Sequence, residues 1–322
     1  MSLKNEIFSI SKKDNHIIIK FFGIKIKYFS KKLYLKNTEI RLNSCQKKIF
    51  ALQQILNIYS TPKTLPPAKG ELRQGQLLSI RLLNDIKGIC DGNNLTYWLD
   101  FGTLLGAVRH GGYIPWDSDI DISMLREDFY KIIPLLKEKY INSEIEVREF
   151  GYNNHFQIRI QPKNDDTYGV DIFPVDKYFK GDLNKDEIPE VNLKIKKATK
   201  LLKMECKKSQ EMATNPKQFR ACIEQMNKKY VLEGNTLEVE NPALYYAIDY
   251  PLPDENLTKN YELIFPLSKI KFEGEEFKCP NNVEQCLISL YGNSYMNYPS
   301  EFKPGEVKSV EYVSGLHDLS SN

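Results

Sequence analysis

The sequence predicts an α/β (α+β) domain, a mixed sheet flanked by helices, preceded by a small β module. Three observations carry this expectation. Between residues 71 and 300, stretches with helical apolar spacing alternate with short apolar strands. Residues before 45 instead alternate apolar residues with lysine at period two. Between the two lies "STPKTLPPAKG", 60 to 70, whose polar, Pro-rich composition reads as a linker. The expected division is a basic β module at 1–45, a helix and linker at 46–70, and a main domain at 71–322.

In the module, "HIIIKFFGIKIKYF" sets Ile24, Ile26 and Tyr28 against Lys25 and Lys27, and Gly23 supplies a turn or bulge. Residues 5 to 36 therefore read as short strands with one lysine-rich, wet face. Ile49, Leu52, Ile55 and Leu56 give residues 45 to 59 helical spacing. The main domain opens on a helix whose stripe is Leu78, Leu82, Ile86 and Ile89. "LTYWLDFG" reads as a buried strand, "TLLGAVRH" as a short helix and "DIDISM" as the next strand. Phe129, Ile132, Ile133 and Leu136 predict a helix over 128–140, and "HFQIRIQP" and "YGVDIFPVD" predict two more strands. Residues 189–232 read as helical, with the lysines between 194 and 208 on a solvated face. "NVEQCLISLY" is the last helix, with Asn282 as its N-cap and Gly292 just past its end.

With 322 residues, 41% hydrophobic and 27% charged, the chain has ordinary globular composition. Its formal charge of +3 is unevenly spread. Residues 1 to 48 hold eleven Lys and one Arg against Glu6, Asp14 and Glu39, a balance of +9, so the rest carries −6. Two readings stand: a solvated, lysine-edged hairpin, or peripheral membrane contact with an anionic surface through residues 1–40. Nucleic acid is not expected as a partner, because the body is net acidic and no nucleic-acid module is evident. Six cysteines without CxxC or zinc spacing predict reduced thiols. Neither a signal peptide nor an apolar run of about 20 residues is seen, so a cytoplasmic location is expected, on the inner face of a membrane at most.

The chemistry concentrates in "WLDFGTLLGAVRHGGYIPWDSDIDISM", 98 to 124. In a strand, Asp117, Asp119 and Asp121 share one face while Ile120 and Ile122 enter the core. Ionised carboxylates so close repel one another and call for a cation. Oxygen donors without His or Cys point to Mg²⁺, Mn²⁺ or Ca²⁺. An EF-hand is excluded: counted from Asp117, its positions 6 and 12 hold Ile122 and Asp128 instead of Gly and Glu. Asp171, in "GVDIFPVD", adds a carboxylate from another buried strand, whereas Asp176 falls past that strand's end. Gly102 and Thr103 open the short helix, whose N-terminal amides suit a phosphate. A Gly-Thr helix start followed by Asp-x-Asp on the next strand is the layout of the nucleotidyltransferase fold.

"YWLDFGTLLGAVRHGGYIPWDSDIDI" resembles the signature of the LicD family, bacterial phosphocholine transferases with fukutin and fukutin-related protein as distant animal relatives. That family usually has three adjacent aspartates after Pro-Trp, and here Ser118 replaces the middle one. The resemblance continues at "VDIFPVD" and at 264–299. It implies a phosphotransferase that moves a phospho-headgroup from a CDP-linked donor to a sugar hydroxyl of a surface glycan or lipid-linked oligosaccharide, releasing CMP. The headgroup would be phosphocholine or a zwitterionic relative, phosphoethanolamine or aminoethylphosphonate. The alternative headgroup is a glycerol or ribitol phosphate. It further implies Mg²⁺ (or Mn²⁺) held by Asp117, Asp119, Asp121 and Asp171, with Asp119, Asp121 and Asp171 catalytic. Gly102, Thr103, Arg109, His110, Trp116 and Arg159 are the candidates for binding nucleotide and substrate, Arg109 and Arg159 against diphosphate oxygens. Trp116 is a candidate to stack on a base or a quaternary ammonium, Tyr152 a weaker one. His155 reads as a strand or loop residue. Two further classes stay open: a transferase attacking an NTP with pyrophosphate release, and a non-catalytic glycan-binding protein.

Overall fold

The computed structural model describes residues 8–13, 16–21, 24–29, 31–59, 62–149, 157–209, 215–234, 237, 239–249 and 258–298. Tyr152, His155 and Gly23 lie outside the described residues. The chain divides into two compact units, Met1–Thr61 and Pro62–Asn322.

In the first unit, strands β1 (Phe8–Lys13), β2 (His16–Phe21) and β3 (Ile24–Phe29) form an antiparallel sheet in the order β1-β2-β3. Residues 31 to 36, expected as strand, instead begin a long helix, α1 (Lys31–Tyr59). The Lys-Lys-Leu-Tyr-Leu-Lys run lacks the period-two alternation of the strands before it and is built largely of good helix formers.

The second unit begins with α2 (Gly70–Gly92), which buries Leu82, Leu83 and Ile86. β4 (Tyr97–Leu99), α3 (Phe101–His110), β5 (Asp119–Leu125) and α4 (Arg126–Lys139) follow. Then come β6 (Ile145–Arg148), β7 (Ile158–Pro162), β8 (Gly169–Tyr178), α5 (Glu187–Lys208) and α6 (Pro216–Met226). The chain continues through β9 (Ala243–Tyr246), β10 (Thr258–Lys259), the single turn α7 (Tyr261–Ile264), the hairpin β11 (Ser268–Phe272) and β12 (Glu275–Cys279), and α8 (Val283–Tyr291). As expected, the sheet is mixed. β5 and β8 run parallel, and β4 lies antiparallel on the far side of β5. β8 is long enough to share its other edge, pairing with β7 through its first half and with β9 through its second. Every residue of β8 from Gly169 to Asp176 is buried. Asp176 therefore lies within the strand, not beyond it as the sequence suggested, and Arg126 neutralises it there with two hydrogen bonds of 2.9 Å.

Ile120 and Ile122 are fully buried while Asp119 and Asp121 keep partial exposure, the alternation expected of a strand with one core face. α8 is capped as expected: Asn282 Oδ1 accepts from Gln285 N at 3.1 Å, and Gly292 adopts φ 78°.

Candidate active site

Register alone brings four side chains together. Asp121 sits opposite Asp171 across β5 and β8, and Asp171 sits opposite Arg159 across β8 and β7. Asp119, two residues before Asp121, shares its face. Three carboxylates and one guanidinium thus occupy one patch of the sheet. Arg159 Nη1 donates to Asp171 Oδ2 and stands 3.5 Å from Asp119 Oδ2. Arg159 Nε and Nη2 are held by Gln161 Oε1 and the Asp166 carbonyl. Arg159, expected against a diphosphate, is in this state a bridge between two aspartates.

Asp117 does not share the strand. It precedes β5, donates its N–H to the Ile114 carbonyl, and reaches the site from the side. A Cβ on Gly102 would lie 2.9 Å from Asp117 Oδ2 and 3.5 Å from Asp121 Oδ2. The first turn of α3 therefore abuts two carboxylates where the helix dipole is positive, and only glycine leaves that approach open. Thr103 joins helix to strand: its Oγ1 accepts from Asp121 N at 2.8 Å.

Burial, with charge crowding second, sets the electrostatics. Burial, then the charge of Asp119, Asp117 and Asp171, raises the Asp121 carboxyl well above the ordinary range, although some of its surface still reaches solvent. Burial pushes Asp171 up to about 7, against the pull of Arg159. Asp171 Oδ1 is buried and, among the described residues, has no partner at hydrogen-bond geometry, although the Gln157 side chain is near enough to pull the carboxyl's pKa down. Among the described residues no group of three or more His, Cys, Asp or Glu stands in metal-holding geometry. The four-carboxylate set expected from the sequence is not preassembled, since Asp117 enters from a loop and Arg159 lies between Asp119 and Asp171. The donor set still fits a hard divalent cation: it is all oxygen, carries one orphaned buried atom, and holds more negative charge than Arg159 balances.

The remaining candidates hold the frame. Arg109 is buried and donates from Nη1 to the carbonyls of Tyr295 and Asn297, both at 3.2 Å, clamping the turn after α8. Its Nε donates to His110 Nε2 at 3.1 Å, and its guanidinium stands 5.9 Å from the Trp116 ring centre. Burial and the Arg109 charge lower the His110 pKa to about 4, so its imidazole is neutral at pH 7. Accepting at Nε2 assigns the proton to Nδ1.

Sequence reasoning missed the support beneath α3. Phe101 adopts φ 43°, a left-handed conformation costly for a side-chain-bearing residue. Asp100 holds it: Oδ1 accepts from Phe101 N, and Oδ2 accepts from Ser123 Oγ and Tyr246 OH, both at 2.7 Å. Lys259 Nζ donates to Tyr246 OH at 3.2 Å. An aspartate directly before a helix start is an N-cap signal and was available to find Asp100. The loop after α3 is latched from far along the chain. Glu273 accepts from Tyr113 N and pairs with Arg73, and Gln76 Nε2 donates to the Asp117 carbonyl. No local pattern announces these partners.

Comparison with known proteins agrees with this geometry. Residues 94–210, which contain α3, β5, β7 and β8, match the family model described as LicD/FKTN/FKRP, nucleotidyltransferase domain. The chain is 40% identical over 62 residues to the lipopolysaccharide cholinephosphotransferase LicD of Haemophilus influenzae, covering 19% of this chain and 23% of that protein. It is 46% identical over 61 residues to an uncharacterized protein of Rickettsia typhi, 18% of this chain and 20% of the other. It is 32% identical over 92 residues to the ribitol 5-phosphate transferase FKRP of Homo sapiens, 28% of this chain and 18% of the other. The matched stretches thus span about a fifth of the length of these relatives. The carboxylate patch lies wholly within residues 94–210, the stretch similar to the LicD/FKTN/FKRP nucleotidyltransferase domain.

Proposed function

We propose that this chain transfers a phospho-headgroup, phosphocholine or a close zwitterionic relative, from a CDP-activated donor to a sugar hydroxyl of a surface glycan, releasing CMP. The single observation that carries the reading is the joining of Asp119, Asp121, Asp171 and Arg159 on one sheet face beside the N-terminus of α3, within the LicD-like stretch. The 40% identity to a cholinephosphotransferase favours choline among the headgroups.

Asp117, Asp119, Asp121 and Asp171 would hold Mg²⁺ or Mn²⁺, which when bound neutralises diphosphate charge and polarises phosphorus. The chain's own groups do the rest. Gly102 leaves room for phosphate oxygens at the helix N-terminus, where α3 amides face them. Arg159, released from the aspartates, meets the charge gathering on the leaving CMP. Asp171, facing the acceptor, takes the hydroxyl's proton at Oδ1. The hydroxyl oxygen forms its bond to the phosphorus bearing the headgroup as the bond to CMP breaks. Thr103 and Asp100 hold α3 in register with β5 throughout.

A second reading is polyol-phosphate transfer from CDP-ribitol or CDP-glycerol, favoured by the match to FKRP over 92 residues. Peripheral contact with an anionic inner membrane face through residues 1–40 would bring a lipid-linked acceptor near the site. Among the described residues no helix is long and apolar enough to cross a membrane.

The test is CMP release from CDP-linked choline, ethanolamine, aminoethylphosphonate, glycerol and ribitol, with a competent glycan acceptor and Mg²⁺. Acceptor-dependent release from one donor, lost in Asp119→Asn, identifies reaction and headgroup together. Pyrophosphate release from an NTP would replace this reading with nucleotidyl transfer. Absence of any donor binding by calorimetry would leave a glycan-binding protein.

A further inference from the structure

The helix α1 leaves a row of large apolar side chains in solvent. Leu35 is 55% exposed, Leu42 57% and Leu52 60%. Their spacing is that of a heptad. With Leu35 at position a, the a positions at 35, 42, 49 and 56 are Leu, Leu, Ile and Leu. The d positions at 38, 45, 52 and 59 are Thr, Cys, Leu and Tyr. Eight seam positions in the strict 3.5-residue period, all within α1, amount to three and a half heptads, enough for a coiled coil. The one hydroxyl in the described part of the seam is satisfied within its own helix, Thr38 Oγ1 donating to the Tyr34 carbonyl at 2.9 Å.

We propose that α1 is one strand of a parallel, in-register coiled coil formed by two copies of this chain. A seam that repeats every seven residues curves around a partner of the same repeat, and a second copy supplies that repeat. The flanking charges choose the orientation. The g positions are Tyr34, Arg41, Lys48 and Ile55, and the e positions are Glu39, Gln46 and Gln53. In a parallel pair each g residue meets the e residue of the next heptad on the other copy: Tyr34 with Glu39, Arg41 with Gln46, Lys48 with Gln53. No like charges meet. In an antiparallel pair g faces g, which sets Arg41 against Lys48 twice. The parallel arrangement also carries both cationic β modules at one end of the coil, doubling the charge offered to an anionic surface.

The experiment is the mass of the full chain in reducing buffer by light scattering, followed by oxidative cross-linking. The expected mass is twice the 37.4 kDa of one chain. Leu42→Glu with Leu52→Glu should reduce it to a single chain. Leu42→Ala with Leu52→Ala, which keeps helix propensity, should do the same at lower concentration. Ile40→Glu, 56% exposed but outside the seam, should leave the dimer intact. In the parallel pair the exposed Cys45 thiols face one another at a d layer. Diamide should therefore join them, two thiols giving one disulfide as diamide takes two electrons and two protons. The cross-linked dimer should be absent from Cys45→Ser. A single-chain mass for the unaltered protein, a dimer that survives both seam pairs, or equal disruption by Ile40→Glu overturns the proposal. A dimer without the Cys45 cross-link overturns its parallel register.

Discussion

Replacing Asp171 with asparagine removes a carboxylate that the fold holds at a cost. Its carboxyl is raised from the ordinary 3.8 to about 7, chiefly by burial. A raised carboxyl binds its proton more tightly in the folded chain than in the unfolded one, so ionising it lowers stability as pH climbs from about 4 to 7. Three pKa units correspond to about 4 kcal/mol at most. Part of this is lost in the variant, because Asp119, at 3.5 Å, is then the one carboxylate left against Arg159 among the described residues, beside its contacts with Gln161 and the Asp166 carbonyl; a weakened charged hydrogen bond costs about 2 kcal/mol. The net expectation at pH 8 without divalent cations is a variant about 2 kcal/mol more stable than wild type, some 4–8 °C in melting temperature at 2–4 °C per kcal/mol. The gap should narrow as pH falls from 7 to 4, and the burial penalty vanishes below about 4, where the wild-type carboxyl is protonated in both states. Adding Mg²⁺ should raise the wild-type midpoint and leave the variant nearly unmoved. Urea unfolding at pH 8 and pH 5, in chelator and in Mg²⁺, reads all of this. A variant less stable than wild type at pH 8 in chelator, or a gap unchanged at pH 5, would refute the assignment of Asp171 as a strained, cation-seeking carboxylate.

Gly102→Ala should lower CMP release about a hundredfold with little change in unfolding midpoint, because its Cβ would stand 2.9 Å from Asp117 Oδ2 and shift that carboxylate. Arg109→Ala should cost about 2–3 kcal/mol by urea unfolding, since two carbonyls lose a charged donor. Arg109→Lys should recover less than half of that, an ammonium being unable to span His110 and both carbonyls. Liposomes containing anionic lipid should co-sediment the chain at low salt and release it at high salt, and a chain lacking residues 1–40 should stay in the supernatant. Equal binding by the shortened chain would remove the basic module from any membrane role.

Local chemistry made much of the domain readable. Asp119 and Asp121 alternate with Ile120 and Ile122, and a strand with one wet and one buried face permits only one orientation of that pattern. Asn282 and Gly292 mark the ends of α8 for reasons confined to one helical turn. The start of α1 was misread because alternating apolar and lysine residues run up to it, and the break in period at residues 31–36 is only six residues long. Asp176 was placed beyond its strand because nothing nearby reveals the partner that permits its burial. Arg126 lies 50 residues earlier and also pairs with Asp249.

From its own residues the sequence determined which side chains are candidates for the site: the Asp-x-Asp strand, Asp171, and the Gly-Thr helix start. Each of these follows from spacing along a single element, where backbone periodicity dictates the face. Only the tertiary structure decided how they meet. The pairing of β5 with β8, and of β8 with β7, sets Asp121 beside Asp171 and Asp171 beside Arg159. It also turned Arg159 from a free cation into a bridge, brought Asp117 in from a loop, and put Tyr246 beneath Asp100 to hold Phe101 in its left-handed conformation. Register between strands whose paired residues, such as Asp121 and Asp171, lie 50 positions apart is set by the summed burial of whole faces, which no short segment encodes.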